Sequence, residues 1–348
     1  MTITPEVAAA IERFRLPDKL GFGAVNAPVM FSAECRDGKW GPGQLLPYAP
    51  IAILPGARAL QYGELVFEGL KAYRVGQSQP NLFRADANFR RMQQSALRLS
   101  MQAVPEELFF AGLEAVTRAC ERFIPSSSGQ SLYLRPFVFG TESGYLLRNS
   151  TTFRFMVIAN PVEAYASGTP SVAIERRDVR AAVGGVGTAK TGANYAASLR
   201  GSSAAVAAGH AVALWLDAAS HRYIQELSGM NFFAVIDGEL HTPALDTAIL
   251  PGVTRDSLIT LGRHLGYTVH ERQMDIDELL TQIGNGRCSE IFACGTAAII
   301  MPISALADSD NLHKPKQTNV VASRLREALL AIQERRAPDP FNWIRVIS

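Results

Sequence analysis

The chain has 348 residues, a formal net charge of +2, 47% hydrophobic and 19% charged residues. That length exceeds one simple core and predicts two domains of a globular protein. The charge excludes the basic footprint of a nucleic-acid binder, and no apolar run reaches the ~20 residues of a membrane helix.

Taken in chain order, MTITPEVAAAIERF predicts a short amphipathic helix and has no basic-then-apolar targeting pattern. NFRRMQQSALRLS (88–100) predicts a helix with Arg90 and Arg91 on one face and Met92, Ala96 and Leu97 on the other. PEELFFAGLEAVTRACERF (105–123) has apolar residues at helical spacing. SLYLRPFVFG (131–140) and TTFRFMVIAN (151–160) are rich in aromatic and β-branched residues and predict strands. PVEAYASGTPS (161–171) follows, small and Pro-containing, and is the best candidate linker. The expected division is a small α/β domain over 1–163, a linker over 164–170 and a large domain over 171–348. In the large domain, short strands are expected at 211–217, 223–227 and 231–237, and helices at 254–266, 275–284 and 320–336. The order is not a run of βαβ units, and no GxGxxG opens a helix, so a dinucleotide fold is not expected. The predicted class is α+β, or mixed α/β.

Cys35, Cys120, Cys288 and Cys294 form no CxxC pair, and scattered thiols in a long chain point to a reducing cytosol. The six histidines show no ligand spacing, and no metal site is expected.

The chemistry begins at GTAKTGANYAASL (187–199), where Lys190 stands among small, uncharged residues, with Tyr195 five places on. A lysine acts as a nucleophile when its amine is neutral, and apolar surroundings favour that form. Small neighbours leave space for a flat ligand. Four stretches supply partners. QELSGMNFF (225–233) carries Glu226 out of a strand into a Ser-Gly turn. AILPGVTRDSL (248–258) starts a helix at Thr254, whose amides and hydroxyl suit phosphate. ACGTAAIIMP (293–302) offers Thr296 at a strand end, and the 88–100 helix offers an arginine. Each has an ordinary structural use: loop lysine, solvated acid, N-cap, plain turn, exposed arginines. Together they form the set that pyridoxal phosphate (PLP) needs: a lysine for its aldehyde, an acid for its pyridine nitrogen, and amides, hydroxyls and an arginine for its phosphate.

The segment ELSGMNFFAVIDGELHTPALDTAILPGVTR resembles the signature of the class IV aminotransferases, the fold-type IV PLP enzymes. Glu226, Ser228, Asn231, Phe232, Phe233, Thr242, Gly252, Val253 and Arg255 stand where that signature places them. LQYGELVFEGLKAYR (60–74), SLYLRPFVFGTE (131–142) and NWIRVIS (342–348) are similar to the branched-chain amino acid aminotransferases of the larger, eukaryote-like type. The resemblance covers nearly the whole chain. It implies a two-domain fold-type IV aminotransferase in which Lys190 holds PLP as a Schiff base and carries the proton. It implies that Tyr195 bonds the ring hydroxyl oxygen and Glu226 the pyridine nitrogen. Arg91, Val253, Thr254 and Thr296 are then phosphate ligands, and Arg180 a further arginine of the cofactor pocket. Tyr62, Thr296 and Ala297 position the substrate carboxylate, Phe22, Phe67 and Tyr133 wall the side-chain pocket, and Arg135 takes the distal carboxylate of glutamate. Lys71 matches a subfamily lysine and is not assigned chemistry. The implied reaction exchanges the amino group of L-leucine, L-isoleucine or L-valine with 2-oxoglutarate in a ping-pong cycle. The implied partners are small amino and 2-keto acids and a second copy, a homodimer in which a loop bearing Tyr145 and Leu147 closes the other subunit's pocket.

The sequence also departs from that pattern. NAPVM (26–30) replaces an aromatic-Thr-Asp-His-Met run, Tyr145 and Leu147 replace smaller aliphatics, and Ser228 replaces a common glycine. Ala298 and Met301 stand where mammalian members have a redox CxxC pair, so thiol regulation of that kind is not expected. These departures leave the PLP residues untouched and open a second substrate reading, a bulkier or unusual 2-keto acid. D-amino acid aminotransferases and aminodeoxychorismate lyase share the signature but lack the FEGLKAYR context. A non-catalytic binding protein of the same fold has no reason to keep Lys190, Tyr195 and Glu226 together.

Overall fold

The computed structural model describes residues 2–164, 168–316 and 319–348. The expected linker 164–170 therefore lies partly outside the described residues. The chain forms two compact units. The first comprises Met1–Tyr165, Ala189–Gly192 and Ala331–Ser348, and the second Ala166–Thr188 and Ala193–Leu330. No helix among the described residues is long and apolar enough to cross a membrane.

The first unit is built on an antiparallel sheet. Its strands are β1 (Val29–Arg36), β2 (Lys39–Trp40), β3 (Gln44–Pro47), β4 (Leu65–Phe67), β5 (Leu70–Tyr73), β6 (Asn81–Phe83), β7 (Ser131–Gly140), β8 (Thr152–Val162) and the C-terminal β19 (Ile344–Val346). The order is β19-β6-β5-β7-β8-β1-β2, with β3 on β1 and β4 on β7. The long β7–β8 ladder, from Ser131 opposite Val162 to Gly140 opposite Phe153, follows from the aromatic and β-branched runs of both strands. Helices α1 (Pro5–Arg13), α2 (Arg58–Tyr62), α3 (Ala85–Arg98) and α4 (Glu106–Ala119) belong to this unit. The core joins Phe109, Leu113 and Val116 of α4 to Phe31, Leu134 and Phe155 of the sheet. Full burial of one such side chain contributes about 2 kcal/mol. The expected helix 105–123 ends at Ala119 and continues as a separate 3-10 turn, Glu121–Phe123.

The C-terminal segment Ala331–Ser348, assigned from sequence to the large domain, packs in the first unit. Strand β19 pairs with β6, Ile344 opposite Phe83. Buried Glu334 accepts hydrogen bonds from Ser128 Oγ at 2.9 Å and Gly129 N at 2.6 Å.

The second unit has a ten-stranded sheet. Its strands are β9 (Ser171–Glu175), β10 (Ala213–Leu216), β11 (Ile224–Leu227), β12 (Met230–Ile236), β13 (Glu239–Pro243), β14 (Val269–Arg272), β15 (Cys288–Gly295), β16 (Ile299–Pro302), β17 (Ala305–Asp308) and β18 (Asn311–His313). The path is β14-β13-β12-β11-β10-β9-β17-β18, with β15 between β12 and β16. Three pairings, β9–β10, β9–β17 and β13–β14, are parallel. Helices α6 (Val253–His264) and α7 (Ile276–Gly284) lie in this unit, as do all of α5 (Gly192–Ala207) but its first residue and all of α8 (Val320–Gln333) but its last three. Asp275 caps α7 by accepting from the amides of Asp277 and Glu278. Leu214, Leu227, Phe232, Ile276 and Leu306 lie in the core.

Candidate active site

In the first unit, the tetrapeptide Ala189–Gly192 docks against β4 although the chain on both sides belongs to the second unit. Thr191 forms an isolated bridge with Val66, and its Oγ1 donates to Leu65 O at 2.7 Å. Phe67 N donates to Lys190 O at 2.9 Å, and Lys190 N donates to Ser95 Oγ at 2.9 Å. The backbone of Lys190 is thus fixed from both sides. Its half-buried side chain puts Nζ 4.9 Å from the Phe67 ring centroid. Arg135 Cζ lies 4.6 Å from the same centroid, so the Lys190 amine and the Arg135 guanidinium share one aromatic ring.

Ser95 sits one turn after Arg91 on α3, so one helix face reaches both the lysine backbone and a buried ion pair. Arg91 grips Glu68 with Nε to Oε1 and Nη2 to Oε2, both 2.8 Å, and Glu68 is fully buried. Asn88 Nδ2 donates to Glu68 Oε2 at 2.8 Å. The sequence reading named Arg91 and missed Glu68 and Ser95. A charged residue inside the apolar LVFEGL run was the available signal for Glu68.

Tyr133 and Arg135 alternate onto one face of β7, and Arg135 Nη2 donates to Tyr133 OH at 3.1 Å. Phe22 meets the Tyr133 ring edge-on at 5.1 Å. Gly69 is required beside this phenol, because a Cβ there would lie 2.0 Å from Tyr133 OH. Tyr62, the last residue of α2, donates from its OH to Tyr145 O at 2.7 Å. The structure therefore joins Tyr62 to the loop that carries Tyr145 and Leu147.

In the second unit, Glu226 and Asn231 are cross-strand neighbours in the β11–β12 hairpin. Its turn is Ser228-Gly229, with Gly229 at φ +87°. Glu226 is buried, and its carboxylate takes Arg180 Nη2 at 2.8 Å and Asn231 Nδ2 at 2.9 Å. Asn231 Nδ2 also donates to Leu250 O at 3.0 Å, and Arg180 donates to Ala248 O. A buried carboxylate needs such partners to stay charged. Tyr195, in the first turn of α5, is 37% exposed, with its ring 3.8 Å from the Cβ position of Gly229. Thr296 and Ala297 are half-buried in the turn between β15 and β16. Burial pushes the thiol of Cys294, opposite Asn231 on β15, far up, so it is no nucleophile.

Helix α6 starts behind Gly252 with no side-chain cap among the described residues, although Val253 and Thr254 are buried. A buried, uncapped N-terminus presents amide hydrogens and a positive dipole end to an anion. A phosphate group fits this donor set, a carboxylate held at Glu226 fits a pyridine nitrogen, and the Lys190 amine fits an aldehyde. The residues present thus fit PLP, each set within its own unit.

Glu239, His241 and His270 bring their ligand atoms within 4.8 Å of one another, which the histidine spacing did not foresee because β13 and β14 pair in parallel. Arg272 Nε donates to His241 Nδ1 at 3.1 Å, which places the ring proton on Nε2 and opposes a cation there.

Residues 65–306 match the family described as amino-transferase class IV. The chain is 41% identical over 335 residues to the branched-chain-amino-acid aminotransferase of Mycolicibacterium smegmatis, covering 93% of this chain and 91% of that protein. It is 38% identical to branched-chain-amino-acid transaminase 1 of Bacillus subtilis, covering 94% of each. Among solved structures, the T.th. branched-chain amino acid aminotransferase with pyridoxamine 5'-phosphate matches at TM-score 0.76 and 28% identity, over 91% of this chain and 98% of that one. The same protein complexed with N-(5'-phosphopyridoxyl)-L-glutamate matches at TM-score 0.73 and 28% identity, with the same two coverages, 91% and 98%.

Proposed function

The chain belongs to the class IV aminotransferases, and on that premise we propose that it exchanges the amino group of L-leucine, L-isoleucine and L-valine with 2-oxoglutarate, using PLP. The observation that carries this reading is the presence in one chain of a docked lysine, Lys190, and a buried carboxylate, Glu226, held by an arginine and an asparagine. The substrate class is supported by relatives near 40% identity that bear branched-chain names. The bulkier-acid reading finds no such support.

PLP, when bound, supplies an electron sink for the electron pair left at the substrate Cα. Lys190 Nζ is the group we assign to take the proton from Cα and hand it to the carbon of the cofactor that carried the aldehyde, and to move a proton back to Cα in the second half-reaction. Its backbone bonds to Phe67 and Ser95 keep the amine in one place while the proton moves. Glu226 is assigned to the pyridine nitrogen, with Arg180 and Asn231 orienting its carboxylate. Arg91, Val253, Thr254 and Thr296 are assigned to the phosphate, and Tyr195 to the ring hydroxyl oxygen. The Arg91 assignment is supported by the Glu68 fork, which fixes that guanidinium. For substrate, Phe22, Phe67 and Tyr133 are assigned to the side chain and Arg135 to a distal carboxylate. Arg135 already leans on the phenol of Tyr133, so one pocket offers both apolar and cationic surface. Tyr62, Thr296 and Ala297 are assigned to the α-carboxylate.

A homodimer is part of the same reading. Its support is the run Tyr145, Leu146, Leu147, exposed by 75, 72 and 90%, which a second copy would cover. The four unpaired thiols support a cytoplasmic setting.

Initial rates with L-leucine and 2-oxoglutarate varied together test the reading. Parallel double-reciprocal lines are expected, with no turnover by Lys190→Ala. Intersecting lines, or turnover surviving in Lys190→Ala, would refute it.

A further inference from the structure

Arg58, the first residue of α2, is 2% exposed. A cation buried that far must be matched by specific partners. Its partners come from one loop. Nη1 donates to Leu146 O and, at 2.5 Å, to Arg148 O, and Nη2 stands 3.5 Å from Glu142 Oε1. Its Nε is buried with no hydrogen-bond partner among the described residues.

The start of the same loop is zipped to the backbone around Arg58. Arg58 N donates to Glu142 O at 3.0 Å, Gly144 N donates to Gly56 O at 3.1 Å, and Ala57 bridges Ser143. Glu142 closes the circuit, accepting from Thr151 N at 2.7 Å and Arg148 Nη1 at 3.2 Å. Between these fixed points stand Tyr145, Leu146 and Leu147, the exposed run described above. Such exposed side chains bury little apolar surface in their own unit, so their place is set from beneath, by backbone carbonyls, those of Leu146 and Arg148 bound to the Arg58 guanidinium and that of Tyr145 to the Tyr62 hydroxyl. A cavity of about 250 Å³ lies alongside, lined in part by Arg58, Tyr62, Glu64, Leu147, Arg148 and Asn149. The loop has space to collapse into if those carbonyls are released.

We propose that Arg58 is the positioning residue of loop 142–148, holding Tyr145 and Leu147 where they select the side chain of the transaminated amino acid. This rests on the assignment of that loop to a substrate pocket. Lysine cannot replace the arginine, because a point ammonium lacks the planar fork that reaches two carbonyls and a carboxylate together.

The test uses full-length PLP-loaded Arg58→Ala and Arg58→Lys enzyme, with amide hydrogen exchange over 143–149 and steady-state kinetics on leucine and valine. In Arg58→Ala the loop amides should exchange about tenfold faster, the KM for leucine should rise about tenfold with kcat within about twofold, and the leucine-to-valine preference should change. Millimolar guanidinium ion should restore both readouts. Arg58→Lys, which keeps bulk and charge if the alanine variant does not fold, should move both the same way by about threefold. Unchanged loop exchange in a folded variant overturns the proposal whatever the enzyme's substrate is. Faster exchange with unchanged KM and preference overturns the specificity role. Wild-type enzyme inert to leucine and valine instead brings down the underlying functional reading, while the exchange data still decide whether Arg58 holds the loop.

Discussion

Glu226 is fixed by two residues that reach it by different routes, Asn231 across a hairpin and Arg180 from far back in the chain. The first route is readable in ELSGMNFF, because a Ser-Gly turn makes residues five apart into neighbours. The second is not, since nothing in sequence spacing brings position 180 to position 226. Glu68 and Ser95 escaped for the same reason, their partners Arg91 and Lys190 being distant in the chain. Histidine pairing also hides in the sequence. His241 is buried and stacks on His270 at 4.6 Å, and burial first, then Arg272 and His270, hold its pKa below the ordinary 6.5. Glu239 and Asp237 oppose that shift. The unfolded chain then binds more protons than the folded one just below pH ~6.5, so stability rises with pH through that window and is lost as pH falls. Melting temperatures between pH ~5 and ~7.5 should show a steeper acid decline for the wild type than for His241→Gln. Identical slopes would show that His241 does not set the acid decline.

Helix α6 shows what a single residue does to an element. Gly252 has φ −66° and ψ 129°, which any residue adopts, so its smallness and not its flexibility matters. A Cβ there would lie 1.9 Å from Asn231 Oδ1 and 3.3 Å from Arg255 Cβ. Gly252→Ala must therefore displace Asn231, and with it the orientation of Glu226 and the approach to the first amides of α6. The expected cost is about 1–3 kcal/mol of stability and roughly tenfold weaker PLP binding, read by melting and by PLP titration. PLP affinity equal to the wild type would contradict the assignment of this helix end to phosphate. The expected helices at 254–266 and 275–284 match α6 and α7 within two residues, because their apolar faces repeat at helical spacing. Helix α5 was invisible: GANYAASLRGSSAAVA is so rich in Ala, Ser and Gly that it has no apolar stripe to read. It buries only Asn194, Ser198, Gly201 and Ala205, small or polar positions.

At the scale of the molecule, the two-unit division answers to where apolar faces find partners, not to sequence order. Ala189–Gly192 and Ala331–Ser348 join the first unit by strand-edge pairing to β4 and β6, contacts that span more than 120 residues. The length that predicts two domains could not assign these excursions. The lysine's own motif became informative only with its partners and the long signature from Glu226 to Arg255, whose register now places Asn231 on Glu226 and Arg255 on Pro243 O at 2.8 Å. Branched-chain transamination is read most directly from the absorption spectrum of the purified PLP-loaded protein before and after L-leucine, with no keto acid present. The visible band of lysine-bound PLP should disappear and the near-ultraviolet band of the aminated cofactor should replace it. A visible band left unchanged by leucine, isoleucine and valine would contradict branched-chain transamination.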